Sequence, residues 1–188
     1  GYNGKQVAML SDDALVSFAG GACSRLETLT LRWCRGFTDA GVKAMLSSAR
    51  ERLRSVTLSW IKITNATCED LARLPLLSVL ELSTCREVTD DGLATLAASA
   101  PALTHLTLVD LGATDAGVGK LLASVGAKLE LLKLSDLDHV TGAALARAPA
   151  LPRMRKLHLS HLKAVTEEPV ASFLRRAPDA LRRSAERR

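Results

Sequence analysis

Leu26–Leu46 reads LETLTLRWCRGFTDAGVKAML, and Leu77–Leu96 reads LSVLELSTCREVTDDGLATL. Leu, Cys, Thr-Asp and Gly fall in matching slots, so the phrase is a repeat, and the period decides the fold. Aligning on the leading residue places units at Leu26, Leu53, Leu77, Leu103, Leu129, Met154 and Leu181, at intervals of 27, 24, 26, 26, 25 and 27 residues. The six full units carry apolar residues at offsets +3 and +5: Leu29/Leu31, Val56/Leu58, Leu80/Leu82, Leu106/Leu108, Leu132/Leu134 and Leu157/Leu159. Such alternation predicts a short strand with one buried face. Offset +8 holds Cys34, Ile61, Cys85, Leu111, Leu137 and Leu162.

A helix start follows. Thr38, Thr64, Thr89, Thr114, Thr141 and Thr166 share one slot, and a Thr hydroxyl there can accept an orphan N–H of the first helical turn. The next slot holds Asp39, Asn65, Asp90, Asp115, Gly142 and Glu167; its acids suit the positive end of a helix dipole. The apolar spacing then becomes i, i+3, i+4, as in Val42/Met45/Leu46 and Val118/Leu121/Leu122, which is a helical stripe. Ser11–Leu15 with Phe18 and Ala19 reads as the helical half of one earlier unit.

Strand-helix units of this length resemble the leucine-rich repeat family in its cysteine-containing class, whose LxxLxLxxC is followed by an apolar residue and T-D-x-G-L-x-x-L. The resemblance runs from about Leu10 to Leu181 and is best in the units at Leu26 and Leu77. The unit at Leu53 departs with Ile61 in the Cys slot and Thr67-Cys68 in the Gly-Leu slot; the unit at Met154 has Pro169 in the Gly slot. The resemblance implies an α/β solenoid, a horseshoe with parallel strands on the concave face and helices on the convex face. About six full repeats plus partial terminal units are expected, as one domain over 1–181 with a basic tail at 182–188.

No apolar run approaches the roughly 18 residues of a membrane span, and the stretch GYNGKQVAML lacks the basic and apolar regions of a signal peptide. It also lacks an initiator Met, which reads as a fragment, an expression product or a processed protein. The formal charge is +5, of which residues 171–188 carry +4, leaving a near-neutral solenoid. The Arg-rich tail reads either as a solvated terminus or as a contact for an acidic partner or RNA. Cys23, Cys34, Cys68 and Cys85 fall on slots that the pattern marks as buried. Cys34 and Cys85 share a slot two units apart, roughly 10 Å across two strand spacings, too far for a bridge. Free thiols point inside the cell, to a reducing compartment: cytoplasm, nucleus or mitochondrial matrix.

Catalysis needs polar groups converging in a pocket, and the short strand-to-helix connections leave no room for one. His158 and His161 form HLSH, but residues i and i+3 of a strand face opposite ways, which speaks against a metal site. Asp110 and Asp136 share slot +7 in adjacent units and read as solvated or capping carboxylates rather than an acid–base pair. Gly117-Val118-Gly119-Lys120 is a helix start, not a phosphate loop. The chain is read as non-enzymatic and without a cofactor.

A repeat protein binds with its concave face. Outward slots from +2 to +7 there supply Arg32, Trp33, Trp60, Glu81, His105, Asp110, Lys133, Asp136, His158 and His161 as candidate partner contacts. Trp33 and Trp60, the chain's two tryptophans, share slot +7 in adjacent units, whereas Phe18, Phe37 and Phe173 fall on core slots. Trp and Arg are enriched at binding hot spots, so the Trp pair beside Arg32 is the leading patch. The competing reading has both Trp folded over the following loops to shield the stack. A second protein contact is expected at the N-terminal end, which has no evident cap. The resemblance implies intracellular protein recognition, as in the substrate-receiving half of F-box/LRR ubiquitin-ligase adaptors. Its alternative is a structural subunit or assembly factor of a large complex, such as a ribosomal, axonemal or mitochondrial one.

Overall fold

The computed structural model describes residues 11–99 and 102–178. Residues 179–188, and with them the basic tail and Leu181, lie outside the described residues, as do residues 1–10. The element order is α1 (Asp12–Ala22), β1 (Thr28–Arg32), α2 (Asp39–Ser48), β2 (Ser55–Ser59), α3 (Asn65–Ala72), β3 (Val79–Cys85) and α4 (Asp90–Ser99). It continues with β4 (His105–Leu111), α5 (Asp115–Val125), β5 (Leu131–Ser135), α6 (Ala143–Arg147), β6 (Lys156–Ser160) and α7 (Glu167–Arg175).

The strands form one parallel sheet in the order β1-β2-β3-β4-β5-β6. Register follows the repeat: Leu29 pairs with Val56, Val56 with Leu80, Leu80 with Leu106, Leu106 with Leu132, and Leu132 with Leu157. Because side chains alternate along a strand, this register puts every +3 and +5 residue on the face toward the helices. In the central units these side chains are fully buried, while Leu31, Leu157 and Leu159 in the terminal strands are half-buried. The terminal strands lack a neighbouring layer on one side, so burial fades at both ends of the stack.

Five helices begin directly after the Thr slot; α6 instead begins at Ala143, with left-handed Gly142 rather than Thr141 as its N-cap. Thr38, Thr64 and Thr114 are N-caps with extended backbone, and their hydroxyls accept from Ala40, Ala66 and Ala116 N–H. The acidic slot does more than complement a dipole. Its side chain reaches the Thr of the following unit: Asp39 accepts from Thr64 N–H at 3.0 Å, Asp90 from Thr114 N–H at 2.7 Å, and Asp115 from Thr141 N–H at 2.8 Å. Asp12 does the same for Thr38 at 2.8 Å, which confirms α1 as the helical half of a unit. Asn65 serves Thr89 with both ends of its amide, accepting the N–H at 2.9 Å and donating to the hydroxyl at 2.8 Å. This ladder ties each helix N-terminus to the next.

The ladder explains the repeat's glycine and its exceptions. A side chain at Gly41, Gly92 or Gly117 would collide with Asp12, Asn65 or Asp90. Thr67 replaces glycine in the second unit and instead donates both its N–H and its hydroxyl to Asp39, so α3 forms regardless. In the fifth unit the acid is Gly142, at φ +93°, and Pro169 of the next unit packs over it. Proline has no N–H to offer, so the missing acceptor and the missing donor coincide, and α7 forms with Pro169 in its first turn. There the Arg176 guanidinium reaches back to the carbonyl oxygens of Leu145 and Ala148, at 2.9 and 2.6 Å, and closes the end of α6.

Two expectations are corrected. Phe18 is 59% exposed rather than in the core, and Val16 beside it on α1 is 50% exposed. Among the described residues no layer covers that flank of α1, whereas Phe37 and Phe173 lie between layers and are buried. Cys34 is half-buried, because it belongs to the terminal strand's unit; Cys23, Cys68 and Cys85 are buried, and all four thiols are free. Among the described residues no helix is long and apolar enough to cross a membrane.

Candidate functional site

The outward face of the sheet carries the candidate residues in columns, one per unit. Slot +7 is the sharpest. Trp33, Trp60, Thr84, Asp110, Asp136 and His161 all adopt φ between +50° and +60°. Left-handed backbone is costly for residues with a Cβ, and most of all for a β-branched one such as Thr84. In the first, second and fifth units this residue lies just past its strand with its N–H still in the ladder, as Trp33, Trp60 and Asp136 donate to the carbonyls of Ser59, Ser83 and Ser160 at 2.9, 3.0 and 3.2 Å; Thr84 and Asp110 lie inside β3 and β4, where Cys85 still pairs with Leu111. The column therefore projects its side chains from left-handed backbone.

In the first two units this backbone presents the tryptophans. Their rings stack with centroids 4.4 Å apart and planes 13° from parallel. Trp33 is 63% exposed and Trp60 39%. The rings cover each other and leave an outer face in water, which disfavours the shielding alternative. Arg32 points outward beside them and reaches across β2 to Glu81, 3.5 Å away. Below that span, Thr57 and Ser59 are each only 8% exposed despite lying on the outer face.

The remaining candidates divide by partner. Asp110 binds Arg86 at 2.8 Å. Asp136 accepts from Ser135 Oγ at 2.6 Å, with His161 Nδ1 3.4 Å away. Ser160 Oγ donates to Ser135 Oγ at 2.9 Å, extending a small polar chain across β5 and β6. Asp110 and Asp136 thus have separate partners and do not form a carboxylate pair. His105 Nδ1 lies 2.9 Å from Thr104 Oγ1. Lys133 and His158 are exposed in adjacent strands at one register position.

Several participants were not singled out in the sequence. Arg86, Ser135 and Ser160 join the outward network only because adjacent units bring them there. The slot +7 recurrence was visible as a column, but nothing in Trp, Thr, Asp or His at that slot announces left-handed backbone. Charge along the chain held a readable signal: residues 25–62 carry eight Arg or Lys against three acids, and residues 63–115 carry eight acids against two Arg. The near-neutral solenoid is therefore polarised, with the Trp stack at its basic end.

A family model described as Leucine Rich repeat matches residues 22–46. Lysine-specific demethylase 2B of Mus musculus is 25% identical over 175 residues, covering 86% of this chain and 12% of that protein. Among solved structures, a chain of the crystal structure of the Rad7 and Elc1 complex in yeast aligns with a TM-score of 0.56 at 16% identity. That alignment covers 89% of this chain and 51% of the other, so this chain spans about half of its structural relative and a small fraction of its curated one. At such identity the structural match speaks for the fold alone. Repeated phrase, single parallel sheet and matched repeat agree: the chain folds as a leucine-rich repeat solenoid.

Proposed function

We propose that the chain is a non-enzymatic protein-recognition module that binds its partner on the outward face of the sheet. The exposed Trp33–Trp60 stack carries this reading. Two large aromatic side chains held in water are costly unless a partner covers them, and Trp is the residue most typical of binding hot spots. The rest of the face adds graded polarity, from Arg32 and Glu81 through Asp110 to Lys133 and His158. The role nearest to this arrangement is substrate reception in an F-box/LRR ubiquitin-ligase adaptor. The free thiols support a reducing intracellular compartment.

The test is photocrosslinking from the outward positions Thr107 and Lys133 and from the convex positions Ala94 and Ala123, with captured proteins identified by mass spectrometry. Capture from the outward pair supports the reading, and a Skp1-like and cullin-like pair among co-purified proteins supports the adaptor role. Capture only from the helices overturns the concave-face assignment. A fixed stoichiometric set of subunits, unchanged by Trp33→Ala/Trp60→Ala, makes the chain a built-in structural subunit.

A further inference from the structure

We propose that the outer face of the Trp33–Trp60 stack docks an acidic peptide segment that carries an aromatic side chain. This rests on the concave-face reading above and names the chemistry of its first two units. Three observations carry it.

The first is the shape of the platform. The two indoles are parallel at 4.4 Å, so no ligand fits between them. That excludes a cage closing around a cation and leaves the outer ring surfaces, of which that of Trp33 is the more exposed. A flat indole face favours an offset-stacked or edge-on aromatic ring.

The second is charge. Residues 28–38 and 55–64, which form both strands and both turns around the stack, contain Arg32, Arg35 and Lys62 and no acid. Arg35 and Lys62 lie two residues beyond each Trp, both are exposed, and neither forms an ion pair with another described residue. Arg32 is engaged by Glu81, yet its side chain remains 53% exposed at 3.5 Å, a loose pair that an incoming carboxylate can share. A basic partner meets repulsion here; an acidic one is drawn in.

The third is the reach of that charge. Farther along slot +7 the column turns to Asp110 and Asp136, within the acidic and mixed units. A nucleic-acid strand tracking along the face would leave the cations after two units and meet carboxylates, whereas its affinity depends on a run of phosphate contacts. A short acidic peptide confined to the strands and turns around the stack meets Arg35, Lys62 and Arg32, the last shared with Glu81. The platform thus favours a peptide over a nucleic acid.

The test uses the whole chain and the fluorescein-labelled heptapeptide EDEFDED, read by anisotropy and by the chain's own tryptophan emission. Controls are EDELDED, KRKFKRK and a deca-uridylate. Saturable binding of EDEFDED is expected, with a change in tryptophan emission and weakening as salt rises. Loss of about tenfold in affinity is expected for EDELDED, for Trp33→Asn and for Arg35→Glu/Lys62→Glu. Trp33→Asn suits the left-handed backbone, so loss of binding there reports the ring and not the fold. Tighter binding of KRKFKRK or of the deca-uridylate overturns the proposal, as does no saturable EDEFDED binding below about 1 mM. Salt-sensitive self-association in sedimentation, competing with the peptide, also overturns it, because the acidic block of a second copy is then the occupant. If the peptide fails while Thr107 and Lys133 still crosslink a partner, this inference falls and the concave-face reading stands.

Discussion

The Asp90 carboxylate sits where a side chain at Gly117 would have to go and accepts the Gly117 N–H at 3.0 Å. The same carboxylate receives the N–H and the hydroxyl of Thr114, each at 2.7 Å. One acid therefore holds three donors at the start of the next unit's helix. Asp90→Ala leaves these donors without partners in a half-buried setting and should cost about 1–3 kcal/mol in urea unfolding. Gly117→Ala alone should also destabilise, because its methyl meets the carboxylate. The double variant should be only slightly less destabilised than the sum, since removing the carboxylate relieves one contact while the Cα at 2.7 Å and the Cβ at 3.1 Å stay in place. Additive losses would show that the two residues are not coupled.

The ladder makes stability depend on pH. Burial raises the carboxyls of Asp12, Asp90 and Asp115, but the Thr hydroxyls and backbone N–H groups of the next unit outweigh it and hold all three below the usual 3.8. Each then contributes stability that is complete above the unfolded value and is lost as pH falls through the lower folded one. The urea midpoint should be level from pH 7 to about pH 5 and fall below about pH 4. Asp90→Asn should flatten that fall, because Asn65 shows that an amide can hold the next Thr without charge.

Thr84 sits at φ 51° with a branched Cβ, the least suitable side chain in slot +7. Thr84→Asn should stabilise the chain by about 0.5–1 kcal/mol, because asparagine tolerates left-handed backbone. Thr84→Val keeps the branching and should give no gain. Thermal unfolding of the pair checks this, and equal melting points would remove strain as an explanation.

The thiols should react in a fixed order. Burial, with the nearby Asp39 charge adding to it, pushes Cys68 up to about 12, and burial also raises Cys85. Cys34 is the half-buried member of the four. Because the thiolate is the nucleophile, iodoacetamide at neutral pH should label Cys34 first and Cys68 only on unfolding. Peptide mapping over time reads the order.

Most of the fold was legible because its signals are local. Leu at +3 and +5, Thr at the helix start and the i, i+3, i+4 stripe each lie within one unit, and six recurrences remove the ambiguity that a short apolar run has alone. The site was legible as far as slots go: Trp33 and Trp60 share a column, and adjacent parallel strands carry one column side by side. The stacking itself, the Arg32–Glu81 span and the Arg86–Asp110 pair were not. They join residues 24 to 49 apart in the chain, and side-chain length and direction select them from several candidates at each slot. Phe18 was misread for a related reason: its spacing is that of a core residue, but a core slot is buried only if a neighbouring layer covers it.

The sequence by itself determined the period, the strand-helix alternation, the buried face of each element and the column that holds both tryptophans. These follow from apolar periodicity and from the Thr cap, which act over a few residues. Only the tertiary structure decided that the acid after each Thr serves the next unit rather than its own helix. It also decided that slot +7 is left-handed whatever residue stands there. The physical reason is the same in both cases. Stacking at a fixed register brings an acceptor of one unit against donors of the next and gives every unit the same backbone at slot +7, so residues that look interchangeable along the chain acquire distinct roles across it.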